Sequence, residues 1–100
     1  MTDLFEKALR IQKEAEQARL DFIWTDLDVI LTLASVAETE YQMGNQAHAE
    51  QTLASAEKGY SEMLRYFSMA KGLTPKIAGE FQSKFKEVRE RLHKAADGRR

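Results

Sequence analysis

The chain contains no cysteine. That removes disulfides, thiolate zinc sites and thiol nucleophiles together, and it is compatible with a reducing compartment. Only one proline, Pro75, and five glycines occur in 100 residues, so few positions can break a helix or form a tight turn. Strand-type alternation of apolar and polar residues is absent throughout. No long hydrophobic run exists either. The densest apolar stretch, Phe22 to Ala37, is interrupted by Asp26 and Asp28, and it is too short and too charged to span a bilayer. The opening, Met1 to Lys7, lacks the basic start and apolar run of a secretion signal. These absences predict a cytoplasmic chain with no membrane association.

What remains is helical material. Glu, Lys, Ala, Gln, Leu and Arg dominate, and all are good helix formers. Hydrophobic residues make up 43% and charged residues 31%, a balance that belongs to a folded globular chain. The length suits one domain, 1–100. The net charge of −1 is unevenly spread. Residues 1–72 carry 7 Lys+Arg against 12 Asp+Glu, a balance of −5; residues 73–100 carry 8 against 4, a balance of +4. The two parts can attract each other across helix surfaces.

The pattern predicts an all-α, antiparallel three-helix bundle with helices over about 3–43, 46–71 and 75–97. The first helix starts near Thr2 or Asp3, either of which can cap free amide groups. Leu4, Ala8, Ile11, Ala15, Ala18 and Phe22 then form a narrow seam with the two-in-seven spacing of a coiled coil. From Leu20 the pattern widens. Ile23, Leu27, Ile30, Ala34, Ala37 and Tyr41 form one stripe, and Phe22, Val29, Leu33 and Val36 a second. One polar line, Thr25, Asp28, Thr32, Ser35, Thr39 and Gln42, separates them, which predicts a central helix buried around most of its circumference. Thr25 and Asp28 could form a local cap and kink the helix. Residues 3–19 have no counterpart of matching length in the other helices. Either the chain bends near residue 20 and folds back as a fourth helix, or the seam projects and pairs with another chain. A closed homodimer is the expected outcome of projection.

Gly44 and Asn45 mark the first turn. Ala49, Leu53, Ala56, Tyr60, Met63, Phe67 and Ala70 form the core stripe of the second helix, and Gly72 is placed to end it in a left-handed cap with Leu73 folding back. Thr74 then caps the third helix with Pro75 in its first turn, and Ile77, Phe81, Phe85, Val88, Leu92 and Ala95 form its apolar stripe. Small residues at helical spacing, Ala34, Ala37, Ala49 and Ala56, predict a close approach of the first two helices.

The spacing Gly44, Ala49, Ala56, with Tyr41 ahead of the glycine, resembles the turn of a tetratricopeptide repeat. There a glycine ends the first helix and alanines follow five and twelve residues later. With the third helix added, residues 34–97 also resemble the microtubule-interacting and trafficking (MIT) domain. The resemblance implies a helical hairpin that binds a protein or peptide partner.

Candidate chemistry is sparse. Glu90 and His93 match half of a bundle di-iron motif, but the second motif and the two further inward glutamates are missing. His48, Glu38 and Glu40 lack that context. Asp26 and Asp28 have no Ser, Cys or His at a spacing that makes a nucleophile, and they read as solvated or capping carboxylates. No catalytic, metal or cofactor-binding set emerges. The third helix carries a basic face, Lys84, Lys86, Arg89, Arg91 and Lys94, and the end of the chain adds Arg99 and Arg100. Glu80, Glu87 and Glu90 interleave, and pairs such as Glu87–Arg91 and Glu90–Lys94 fit intrahelical bridges on a solvated face. That argues against nucleic acid, which wants cations with few acids between them. The face can instead meet a protein partner. The expected function is a non-catalytic helical protein-interaction or scaffold module that self-associates. Two other readings stand beside it: a nucleic-acid-binding module using the third helix, and a small-molecule-binding bundle with Trp24, Tyr60, Met63, Tyr66 and Met69 around a ligand.

Overall fold

With no proline or glycine between Thr2 and Gln42, nothing interrupts the hydrogen-bond ladder, and the chain runs as one helix for 41 residues. A computed structural model describes residues 2–99. It contains α1 (Thr2–Gln42), α2 (Gln46–Ser68), α3 (Pro75–Ala96) and a closing 3-10 turn, Asp97–Arg99. The fold is all-α, and no strand occurs among the described residues. Met1, Arg100 and the side chains of Thr2 and Arg99 lie outside the described residues, and with them the expected cap at Thr2 and the terminal cations. The molecule measures 65 × 23 × 16 Å, so its long axis is the length of α1, about 60 Å at 1.5 Å per residue.

The turns sit where the glycines are. Gly44 and Gly72 adopt φ of +81° and +70°, conformations that side chains bearing a Cβ rarely take. The Thr74 hydroxyl accepts a 3.2 Å hydrogen bond from the Ile77 amide, and Pro75 occupies the first turn of α3. The second helix is shorter than its spacing predicts. It stops at Ser68 with Met69 at its C-terminal boundary, not at Lys71. Gly72 therefore turns the α2–α3 connection and does not cap α2. Leu73 does fold back, half-buried against the core.

The helices run up, down and up. Thr52 on α2 donates a 2.8 Å hydrogen bond to Glu40, and Tyr66 meets Phe22 edge-on at 6.3 Å, which sets α1 and α2 antiparallel. Lys84 reaches Asp28 and Arg91 reaches Ser35, the same offset twice, so α3 runs parallel to α1. Carrying these registers onward, Ser68 and Pro75 both come level with about residue 20 of α1. Neither partner helix reaches further.

The core follows from that register. Ile23, Leu27, Ile30, Leu53, Met63 and Val88 are the largest fully buried side chains, each contributing about 1.5–3 kcal/mol by leaving water. Ala34, Ala37, Ala49 and Ala56 are fully buried as expected. Gly59 extends the small-residue seam: a Cβ there would lie 3.2 Å from Ile30 Cδ1. Phe67 stacks on Phe81 at 5.0 Å and lies tilted over Phe85 at 5.4 Å, closing the α2–α3 side.

Two expectations for α1 are corrected. It runs unbroken through Thr25, with no proline or glycine inside Thr2–Gln42 to break it. Its central part is not buried all round. Phe22, Val29 and Val36 are exposed, because two partner helices cover only one side of a third. Residues 3–19 continue the same helix, so there is no fourth helix folding back.

Ala56→Leu should overpack the α1–α2 contact and cost roughly 1–3 kcal/mol, read as a lower urea midpoint at unchanged m. Thr74→Ala should cost ~1 kcal/mol by removing the α3 cap. Gly72→Val should cost at least as much, because a β-branched side chain resists positive φ. Both are measurable by the same titration.

Candidate interaction surface

Two stripes run along α1 on opposite sides. The core stripe begins at Leu20 and continues through Ile23, Leu27, Ile30, Ala34 and Ala37. The other begins at Leu4. Its positions recur every seven residues in two sets. Ala8, Ala15, Phe22, Val29, Val36 and Met43 form one; Leu4, Ile11, Ala18, Thr25, Thr32 and Thr39 form the other. At 3.6 residues per turn the two stripes lie about 150° apart. The second stripe is open to solvent over its whole length: Leu4 is 75% exposed, Ile11 66%, Phe22 55%, Val29 48%, Val36 42% and Met43 77%.

The expected seam of Leu4, Ala8, Ile11, Ala15, Ala18 and Phe22 is thus present on one straight helix, with all six side chains exposed. The sequence pattern ends the seam at Phe22 and places Val29 and Val36 on a second stripe expected to be buried. Their seven-residue repeat from Phe22 through Met43 was the signal that joins them to the seam.

Charge on α1 is segregated along its length. Lys7, Arg10, Lys13 and Arg19 all lie before Leu20, and residues 20–42 carry Asp21, Asp26, Asp28, Glu38 and Glu40 with no Lys or Arg. Within the chain, α3 answers some of this acidity. Lys84 Nζ lies 2.5 Å from Asp28 and 5.0 Å from the centre of the Trp24 ring, and its side chain is only 13% exposed. Arg91 donates to Glu38 at 2.5 Å and to the Ser35 hydroxyl at 2.9 Å. The basic face is therefore divided. Lys86, Arg89 and Lys94 point to solvent, whereas Lys84 and Arg91 are turned onto α1. Arg91 bridges to α1 and not to Glu87, because the acidic flank of α1 is within reach across the helix pair.

The Glu38 carboxyl is held below its ordinary range. The hydrogen bond from Arg91 is the main cause; desolvation opposes it, and the charges of Arg91 and Lys94 add to it. Among the other polar candidates, His48 meets Glu40 at the α1–α2 turn, and Glu90 and His93 are exposed on α3. No cluster of three or more His, Cys, Asp or Glu that could hold a metal occurs among the described residues.

The residues expected around a ligand do not converge. Trp24 packs edge-on against Phe81 at 5.1 Å and Tyr60 against Phe85 at 5.9 Å, Met63 is buried, and Met69 is exposed. A groove of about 510 Å³ lies elsewhere, where Leu9, Lys13, Glu16 and Leu20 of α1 face Lys71 and Leu73 of the α2–α3 connection and Ile77 of α3. No helix among the described residues is long and apolar enough to cross a membrane.

Comparison with known proteins gives no relative: no family model, no curated protein and no solved structure matches this chain.

The Glu38–Arg91 pair sets a pH dependence. A carboxylate with a lowered folded-state value contributes its full stability above its unfolded value and loses it as pH falls through the folded one. Arg91→Met should raise the Glu38 titration toward the ordinary carboxylate range and remove this share of the acid sensitivity. Carboxyl chemical shifts of Glu38 followed against pH would read it directly.

Proposed function

We propose that this chain is a cytoplasmic, non-catalytic helical interaction module that self-associates through the outer stripe of α1. The observation that carries the reading is the exposed apolar seam from Leu4 to Phe22, which α2 touches only at the seam's last residue, where Tyr66 meets Phe22 edge-on. Isolated surface hydrophobes need no explanation, but a continuous stripe of them marks an interaction site. A two-in-seven seam is the width that one further helix covers. The hairpin that resembles tetratricopeptide and MIT turns fits the same role: Gly44 takes its left-handed turn, and Ala49 and Ala56 are buried beyond it. The basic face is less suited to nucleic acid than to a protein surface, since Lys84 and Arg91 are engaged with α1.

Sedimentation equilibrium at tens of micromolar should return the mass of a dimer. Ile11→Glu combined with Phe22→Glu should return the monomer. Both side chains are exposed in the single chain, so its far-UV spectrum should be unchanged. A full-length chain that stays monomeric in that range would remove self-association as a stable property.

A further inference from the structure

We propose that the outer stripe of α1 is covered by α1 of a second copy of this chain, antiparallel and overlapped end to end. The N-terminal overhang of each copy then lies along residues 20–42 of the other. The inference rests on the self-association reading above and adds its partner geometry.

Charge selects the direction. A parallel pair would set residues 20–42 beside their own copy, five carboxylates against five with no Lys or Arg in that segment; of these, Asp28 and Glu38 are answered by Lys84 and Arg91 of α3. An antiparallel pair sets that segment beside residues 4–19, where all four cations of α1 stand with three carboxylates, Glu6, Glu14 and Glu16, a balance of +1 against −5. Like-charge juxtaposition of that extent opposes association, and complementary charge favours it.

Area selects the register. A stripe of about 60 Å by 10 Å gives roughly 600 Å² from each copy, or about 1,200 Å² in all, which reaches the lower edge of stable interfaces. A shorter antiparallel overlap, in which the Leu4–Phe22 seam covers only itself, reaches about half of that. It also leaves Val29, Val36 and Met43 exposed.

In the full overlap the stripes mesh layer by layer. Leu4 faces Met43 of the second copy, Ile11 faces Val36, Ala18 faces Val29, and Phe22 faces Thr25. At one flank Arg19 comes beside Asp26, and at the other Asp21 comes beside Asp28, whose charge Lys84 already answers, each twice by symmetry. Thr32 and Thr39 enter two of the layers with their hydroxyls already bonded to carbonyls of their own helix. They therefore present methyl groups without an unpaired donor, and the interface needs no new partner for them.

The cysteine-free chain makes the register directly readable. Ala15 and Thr32 are both exposed and face each other in the proposed pair. Ala15→Cys and Thr32→Cys chains, mixed and oxidised at the concentration used for sedimentation, should give a disulfide-linked heterodimer. Neither variant alone should cross-link. Self-linking of Ala15→Cys would mean a parallel pair and would overturn the proposal. Cross-linking of Ala8→Cys with Ala18→Cys, positions that meet only in the shorter overlap, would overturn the register. A dimer by sedimentation with no Ala15–Thr32 cross-link would also sink this geometry while leaving self-association standing. A monomer would remove both.

Discussion

The structure depends on a single uninterrupted hydrogen-bond ladder that is longer than anything it packs against. A helix of 41 residues cannot fold back on itself without a break, and Thr2–Gln42 contains neither proline nor glycine. Its partners of 23 and 22 residues pack against the C-terminal half only. The position of the core, the acid–base pairs between α1 and α3, and the exposed N-terminal half all follow from that mismatch in length.

Where the helices do meet, small residues decide the distance. Ala34, Ala37, Ala49, Ala56 and Gly59 bring α1 and α2 together, and larger side chains such as Ile23, Leu27 and Leu53 fill the space around them. The third helix is held differently, by rings on one side and charges on the other. Phe81 and Phe85 pack on Trp24, Tyr60 and Phe67, while Lys84 and Arg91 reach Asp28, Ser35 and Glu38. Partly exposed ion pairs of this kind contribute modestly to stability. Their repeated spacing fixes the parallel register of α3 on α1, and with it the point beyond which neither helix covers α1.

The same register gives α1 two apolar faces with different fates. The face toward α2 and α3 is buried from Leu20 onward. The opposite face keeps a seven-residue repeat from Leu4 to Met43 that stays largely open to solvent, with Tyr66 at the edge of Phe22. Charge follows the length of the helix, with its cations before Leu20 and only acids after it. Repeat and charge together are the basis of the proposed pairing with a reversed copy.

Much of this was legible in the residues. Three helices, the turns at Gly44 and Gly72, the Thr74–Pro75 start, the buried alanines and the coiled-coil seam rest on local rules: hydrophobic period, caps and the lack of breakers. The opposite charges of the two parts of the chain also foretold the α1–α3 bridges. Other features needed the tertiary structure. Phe22, Val29 and Val36 are as apolar as Ile23, Ile30 and Ala37, and composition cannot say which stripe meets a partner. Only the number and position of the packed helices decides it. The early stop of α2 at Ser68 and the turning of Lys84 and Arg91 onto α1 were set in the same way. Each depends on which groups another helix brings within reach, and the periodicity of one segment carries no information about that.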